Sequence, residues 1–219
     1  MRKDIFRLAA IAAVLITALV LAAGYHLGAQ RAERAERVAE QSRTDDSIFV
    51  RPHSRSMGPQ NAKVTVVEFL DPECESCRAM YPRVKQLLGQ YEGRIRLVVR
   101  YMPLHPNSLY AAGAVEAAGA QGRYWEMLEI LFQNQPHWGS HHAPRPELIP
   151  GYAQQIGLDM QAFERSLSAG AHRRLVEADH ADGKRLGVTG TPTFFVNGRL
   201  LERLGYEPLK ALIEEELAK

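Results

Sequence analysis

The residues best suited to chemistry are Cys74 and Cys77, the two cysteines of the 219-residue chain. A run of apolar and β-branched residues, 64–70, precedes them, and apolar residues at helical spacing, 78–88, follow. Two thiols on one face of a first helical turn can close a small disulfide ring. The unpaired amides and the dipole of the helix favour a thiolate at the first thiol. The pattern predicts a redox pair in which Cys74 is exposed and nucleophilic and Cys77 is shielded and resolves the mixed disulfide.

A zinc half-site and an inert structural disulfide are the alternatives for this pair. Zinc sites normally have four ligands, and the chain contains no second cysteine pair. Three histidines lie close together in the segment His137–His142, so a periplasmic copper or zinc chaperone that uses the cysteines and this segment is the alternative function. Because the segment contains no Cys, Asp or Glu, we expect a solvated loop, and we predict neither a bound metal nor a cofactor.

Two segments resemble the DsbA-like branch of the thioredoxin superfamily. The first, Gly58–Tyr91, contains the strand, then Asp71, then the Cys-x-x-Cys. The second, Gly187–Gly198, resembles the cis-proline loop of the family and the strand that follows it. Two motifs in the expected order are more specific than either motif alone. The resemblance implies an exported protein thiol-disulfide oxidoreductase whose partners are protein thiols or disulfides and a membrane redox protein that recycles the cysteine pair.

The resemblance implies an α/β fold over residues 58–219, a thioredoxin fold with an inserted helical domain. The apolar run near the start of the chain predicts an N-terminal transmembrane helix before it. We expect a mixed sheet of about four strands, covered by helices. The predicted strands cover residues 64–70, 95–102, 193–196 and 199–202. Asn197-Gly198 is a strong signal for a two-residue hairpin between the last two strands. Helical patterning at about 107–186 resembles the family's insertion, which shapes a substrate groove, and an amphipathic helix at 207–218 ends the chain.

Glu68 is a candidate proton carrier for the thiol pair. It alternates with apolar residues on one face of the predicted strand. Burial would raise its pKa and let the carboxyl group exchange protons with Cys77. The alternative is a solvent-facing glutamate on an edge strand. Because the strand that leads to the thiols is central in thioredoxin-like folds, we favour the proton relay.

The resemblance also points to residues that would contact a substrate. It predicts a cis bond between Thr191 and Pro192, which would turn the Thr191 backbone toward the sulfurs and let it pair with an extended substrate segment. Glu75 and Ser76, between the cysteines, are the other predicted substrate contacts. His105 could tune the thiols from its loop, but loop histidines are more often inert.

The residues around Cys74 predict a weaker oxidant than the strongly oxidising members of this family. Glu75 and Ser76 depart from the Pro-His dipeptide of the strongly oxidising type, and Asp71 and Glu73 add negative charge. Because these carboxylates should disfavour the thiolate, we predict a Cys74 pKa nearer neutral. An oxidase is favoured, with a reductase or isomerase as alternatives. A binding module with a vestigial site is a second alternative outside the enzymes, beside the metal chaperone.

Residues 1–30 are typical of a membrane-targeting segment. Basic residues precede the apolar run 8–27, whose length of about 30 Å as a helix would span a bilayer core. We favour an uncleaved anchor over a cleaved signal peptide. Because the basic start stays in the cytoplasm, the remaining chain is predicted on the periplasmic face of a bacterial inner membrane.

The segment 31–57 is predicted to be a charged spacer and linker. Arginine and glutamate alternate in its first part, which favours a solvated helix, with a short coiled coil as the alternative. Its second part is rich in Ser, Asp, Arg and Pro and lacks periodicity, which favours a flexible linker. The formal net charge of the chain is +2, so nothing indicates nucleic-acid binding.

Overall fold

A mixed five-stranded sheet organises the part of the chain that the computed structural model describes, residues 22, 24–26, 28–30 and 48–219. The strands are β1 (Arg55–Met57), β2 (Val64–Leu70), β3 (Ile95–Tyr101), β4 (Thr193–Val196) and β5 (Arg199–Leu200). Their spatial order is β1-β3-β2-β4-β5, with β2 parallel to β3 and antiparallel to β4. The strand that leads to the cysteines is therefore central, as predicted. All of its residues except Thr65 are buried, because helices cover the sheet.

Seven α-helices accompany the sheet within residues 48–219. They are α1 (Glu75–Gln90), α2 (Ser108–Gly119), α3 (Tyr124–Trp138), α4 (Ile149–Gln155), α5 (Met160–Ser168), α6 (Ala171–Arg185) and α7 (Tyr206–Ala218). The five helices α2 to α6 lie between β3 and β4, which confirms the predicted helical insertion in a thioredoxin-like core. The terminal helix α7 buries Leu209, Leu212 and Ile213, so its predicted amphipathic character is also confirmed.

The turn between β4 and β5 is the two-residue hairpin that the sequence predicts. Asn197 and Gly198 have φ angles of 47° and 80°. Positive φ at both positions matches the twist of antiparallel strands, and asparagine and glycine tolerate it best. The Asn197 side-chain oxygen also accepts a hydrogen bond from the Thr65 backbone N–H at 2.8 Å, which joins the turn to β2.

Residues 48–57 belong to the folded unit, so the linker prediction is wrong for them. Ile48 and Phe49 are buried, and the Phe49 ring packs edge-on against Phe195, with ring centroids 5.1 Å apart. The three residues of β1 pair antiparallel with β3 at the edge of the sheet. So short a strand carries no periodic signal, since alternation becomes visible over four or more residues.

A buried ion cluster, which we call the Arg100 cluster, ties this segment to the fold. It consists of Arg51, His53, Arg100, Asp179 and Asp182. The fully buried Arg100 guanidinium donates to Asp179 at 2.7 Å and to Asp182 at 2.6 Å. Arg51 binds Asp182 through two hydrogen bonds of 2.7 Å, and the His53 ring lies 2.7 Å from Asp179. The cluster therefore joins the N-terminal segment and β3 to α6.

The predicted anchor and spacer lie almost entirely outside the described residues. The chain divides into two units, residues 1–44 and residues 45–219. In the first unit the structure describes residues 22, 24–26 and 28–30, which are helical and exposed. No helix among the described residues is both long and apolar enough to span a membrane.

Candidate active site

The two cysteines lie at the start of α1, shortly after the central strand β2 ends at Leu70. Cys74 is the N-cap of the helix, and Cys77 is in its first turn. Both are free thiols. Cys77 is fully buried, as predicted, but Cys74 is only 7% exposed, so its predicted exposure is wrong. The Cys74 sulfur lies 3.2 Å from the Thr191 carbonyl oxygen, to which the thiol can donate a hydrogen bond.

The Cys74 thiol is strongly acidic for a cysteine. A hydrogen bond from the Cys77 thiol is the largest cause, and it lowers the pKa of Cys74 to about 5. The Thr191 side chain and the backbone amides of Ser76 and Cys77 lower the pKa further, while burial opposes them. These amides belong to the helix N-terminus, which favours negative charge. At neutral pH Cys74 is therefore a thiolate.

Cys77 and Glu68 are shifted in the opposite sense. Burial raises the pKa of the Cys77 thiol well above its ordinary value, and its hydrogen bond to Cys74 and the charge of Glu68 add to the effect. Burial likewise raises the pKa of Glu68 to about 8, with a contribution from the Cys74 charge. The predicted burial of Glu68 is confirmed by its 2% exposure. The site thus combines an acidic thiol, a weakly acidic thiol and a carboxyl group that is protonated at neutral pH.

The predicted substrate-contact residues surround Cys74. The bond between Thr191 and Pro192 is cis, as predicted. The Thr191 hydrogen-bonding groups face the Cys74 sulfur, and Pro192 is buried. Glu75 and Ser76 are exposed in the first turn of α1. The structure therefore places all four beside the nucleophile and leaves Glu75 and Ser76 open to solvent.

The helical insertion meets α1 next to the thiols and leaves two cavities there. One, of about 230 Å³, is lined by Glu75 and Arg78 of α1 and by the loop that follows α3. The other, of about 450 Å³, lies further along α1 and is lined partly by Tyr81 and Phe132. These cavities are where the groove predicted from the resemblance would lie.

From the sequence, two nearby carboxylates are expected to disfavour the Cys74 thiolate. In the structure both accept hydrogen bonds from other groups. Asp71 and Glu73 are buried, and both face the loop after β3. The Glu73 carboxylate accepts hydrogen bonds from the backbone N–H of Asn107 at 2.6 Å and from its side-chain amide at 2.8 Å. The Cys74 pKa of about 5 makes the prediction of a near-neutral value wrong, and its main causes are hydrogen bonds and burial rather than the charges of these two carboxylates.

The histidine-rich segment is partly helical. His137 and Trp138 end α3, and His141 and His142 are exposed in the loop that follows. No group of three or more His, Cys, Asp or Glu side chains in the described part of the chain is arranged to hold a metal ion. The His141 ring lies 5.5 Å from the ring of His105, measured between centroids.

His105 is the residue whose surroundings the sequence reasoning missed. Its ring Nδ1 lies 2.7 Å from a carboxylate oxygen of Asp71, a residue 34 positions earlier in the chain. A signal was present, because His105 follows the strand that neighbours β2, and the ends of parallel strands meet at one sheet edge.

Comparisons with known proteins agree with this geometry. A protein-family model described as thioredoxin matches residues 51–215. The Na(+)/H(+) antiporter NhaA 3 of Salinispora tropica is 39% identical over 197 residues, which are 87% of this chain and 29% of that protein. This chain thus spans less than a third of that curated relative.

Solved structures give the same fold. A thioredoxin-like oxidoreductase from Silicibacter pomeroyi DSS-3 superimposes with a TM-score of 0.69 at 27% identity, over 80% of this chain and 98% of that one. The thiol-disulfide exchange protein alpha-DsbA2 from Wolbachia pipientis superimposes with a TM-score of 0.72 at 22% identity, over 84% of this chain and 97% of that one. At 22% identity, the similarity to alpha-DsbA2 shows only that the two chains share a fold.

Proposed function

The chain belongs to the thioredoxin family, and from that premise we propose that it is a protein thiol-disulfide oxidoreductase that exchanges disulfides through Cys74 and Cys77. The observation that carries the proposal is the opposed shift of the two thiols: the pKa of Cys74 is lowered to about 5, and that of Cys77 is raised. An inert disulfide needs no such difference. A nucleophile and a resolving thiol do need it, because the thiolate is the reactive form and also the better leaving group.

In the oxidising direction the reaction begins with a disulfide between Cys74 and Cys77. A substrate thiolate attacks the Cys74 sulfur, the bond between the two cysteines breaks, and Cys77 leaves with the electron pair. A second substrate thiolate then attacks the substrate sulfur of the mixed disulfide and releases Cys74 as a thiolate. The substrate gains a disulfide, and the cysteine pair is reduced by two electrons.

Glu68 supplies a proton to Cys77 in this scheme. The departing Cys77 thiolate is buried and its pKa is raised, so it must take up a proton. Glu68 is protonated at neutral pH, because its pKa is about 8, and its charge influences Cys77. A buried carboxyl group of this pKa can give and regain a proton near neutrality.

We infer that the chain acts as a disulfide donor rather than a reductase. Hydrogen bonds and helix amides that stabilise the Cys74 thiolate stabilise the reduced protein, and stabilisation of the reduced form makes the disulfide more oxidising. A pKa of about 5 is lower than the neutral value expected from the sequence, so it favours a stronger oxidant than the sequence analysis predicts.

We also propose that the catalytic unit is exported and tethered to a bacterial inner membrane. The support is the sequence of residues 1–30, with a basic start and a 20-residue apolar run at 8–27. A membrane redox protein would then reoxidise the pair after each exchange. No transport activity is inferred from the antiporter relatives, because this chain spans 29% of the one from Salinispora tropica.

The test is the equilibrium constant of the cysteine pair with glutathione, measured together with trapping of the mixed disulfide. We expect a potential near that of strong disulfide donors, about −120 mV, and a stable mixed disulfide with thiol-containing proteins in the Cys77→Ser variant. The Cys74→Ser variant is the matched control and should trap nothing. A potential near −270 mV would instead make the protein a reductase, and failure of both the wild-type chain and Cys77→Ser to form any disulfide would end the proposal.

A further inference from the structure

The carboxylate of Asp71 anchors the loop that follows β3. It is fully buried. One of its oxygens accepts hydrogen bonds from the Leu104 backbone N–H at 2.8 Å and from the Ser108 hydroxyl at 2.6 Å, and it lies 2.7 Å from Nδ1 of His105. The three partners come from one short stretch of chain, which the carboxylate holds against the thiol loop.

The backbone of the same residue holds both cysteines. The Asp71 carbonyl oxygen accepts a hydrogen bond from the Cys74 backbone N–H at 3.0 Å. The Asp71 N–H in turn lies 3.5 Å from the Cys77 sulfur, to which it donates. Asp71 therefore contacts His105 with its side chain and both members of the thiol pair with its main chain.

The contact with Asp71 determines how His105 carries its protons. A carboxylate accepts, so Nδ1 keeps its hydrogen in the neutral and the charged ring, and Nε2 is the nitrogen that titrates. The side chain is about a quarter exposed, at 25%, so it can exchange protons with solvent. Burial acts to lower the His105 pKa, but the hydrogen bond and charge of Asp71, followed by the charges of Cys74 and Glu73, raise it overall.

We propose that His105 is a positioning residue of the thiol pair: as an imidazolium it offsets the buried Asp71 carboxylate and thereby favours the Cys74 thiolate. This proposal rests on the proposed thiol-disulfide exchange and names a residue that sets its redox equilibrium. The coupling is reciprocal by thermodynamic necessity. If the Cys74 thiolate favours the charged ring of His105, the charged ring favours the thiolate by the same free energy.

Four ionisable groups act on the His105 ring in the described structure. Asp71 contacts it directly, Cys74 and Glu73 attract its charge, and the His141 ring lies against it from the loop after α3 with an interplanar angle of 47°. The three acidic groups favour the imidazolium, whereas a charged His141 would repel it. A His141→Gln variant separates the contribution of that neighbour.

The test compares two histidine variants of the full-length chain. His105→Gln removes the charge next to the thiols. His53→Gln is the matched control, because His53 also lies 2.7 Å from a buried carboxylate, that of Asp179, but its contact belongs to the Arg100 cluster. Two quantities are measured. The first is the Cys74 pKa, obtained from the absorbance of the thiolate, and the second is the equilibrium constant with glutathione as a function of pH.

We expect His105→Gln to raise the Cys74 pKa by about half a unit to one unit. At pH 6, one unit above the wild-type pKa, it should shift the glutathione equilibrium away from the reduced protein by about two- to sixfold. The difference from wild type should vanish at alkaline pH, where the wild-type ring is neutral too. His105→Arg, which stays charged, should keep the wild-type pKa and lose this pH dependence. His53→Gln should change neither quantity.

Two results would overturn the proposal. One is an unchanged Cys74 pKa in His105→Gln; the other is a shift of the same size at every pH, which would mean only a structural disturbance. If His105→Gln fails to fold, the loss or persistence of the pH dependence in His105→Arg decides the question. The proposed function fails separately, because a wild-type chain that does not exchange with glutathione still has a Cys74 pKa on which the histidine variants can be compared.

Discussion

The Arg100 cluster and the thiol pair both bury ionisable groups, but the two regions differ in whether a buried group meets an opposite charge. In the Arg100 cluster, cations meet the carboxylates directly: Asp182 binds Arg100 and Arg51, and Asp179 binds Arg100 and accepts the Tyr101 backbone N–H at 2.9 Å. At the thiol pair, burial raises the pKa values of Glu68 and Cys77, and neighbouring negative charge raises them further.

The difference separates a structural role from a chemical one. Paired charges inside a protein hold their partners in place and do not titrate near neutral pH. Groups buried without a matching charge stay protonated, which makes them proton carriers at the expense of stability. The two regions can therefore be told apart by substitutions that affect stability in opposite directions.

The largest expected effect is that of Arg100→Met. Methionine fills a similar volume but leaves Asp179 and Asp182 buried without their main cation, and breaking a buried pair in this way costs about 3–5 kcal/mol. Urea unfolding of the oxidised protein measures the loss. The variant that also carries Asp179→Asn and Asp182→Asn should recover much of it, because neither buried carboxylate is then left without the Arg100 cation. A loss below about 1 kcal/mol would mean that the cluster does not stabilise the fold.

Glu68→Gln should have the opposite effect on the free energy of unfolding: it should stabilise the protein. The pKa of Glu68 is about 8 in the folded protein, against 4.5 for an ordinary glutamate. The folded state therefore binds the proton more tightly, and the stability of the wild type falls as pH rises from about 4.5 to about 8. Glutamine does not titrate, so the variant should match the wild type at pH 4 and be more stable by about 4 kcal/mol at pH 7.5.

Unfolding at several pH values checks this prediction. The gain should be larger in the reduced protein, where the Cys74 thiolate adds to the cost of a Glu68 charge. The matched control is Glu116→Gln. Glu116 is also buried, but its carboxylate accepts hydrogen bonds from Arg55 and Tyr101, so this replacement should destabilise the protein. A gain that does not depend on pH would show that Glu68 is not protonated in the folded state.

Local patterns in the sequence predict the parts of the fold and site that are themselves local. The central strand, the cysteine pair at a helix start and the Asn197-Gly198 hairpin each depend on residues within a short window. The Asp71 contact with His105 and the Arg100 cluster join residues 34 to 131 positions apart, so no window contains them. The error on the Cys74 pKa has the same origin, because the sequence shows the acidic residues but not the hydrogen bonds that lower this pKa.

The smallest expected effect tests the segment that the sequence analysis placed in a linker. Arg51 is about three-quarters buried, at 28% exposure, and binds Asp182 through two hydrogen bonds, but Asp182 keeps Arg100 when Arg51 is removed. Arg51→Ala should therefore cost about 1 kcal/mol, well below the loss from Arg100→Met. The control is Arg145→Ala, which breaks an exposed pair with Glu147 and should cause no measurable change.

Urea unfolding compares Arg51→Ala with that control, and the glutathione equilibrium should be the same in both variants because neither touches the thiols. If the two variants are equally stable, the Arg51 contact contributes nothing measurable to stability. A loss of about 1 kcal/mol at an unchanged glutathione equilibrium would instead show that this contact makes residues 48–57 contribute to the stability of the fold. It would also complete the contrast with the thiol pair, since removing a charge would then weaken the fold at one region and strengthen it at the other.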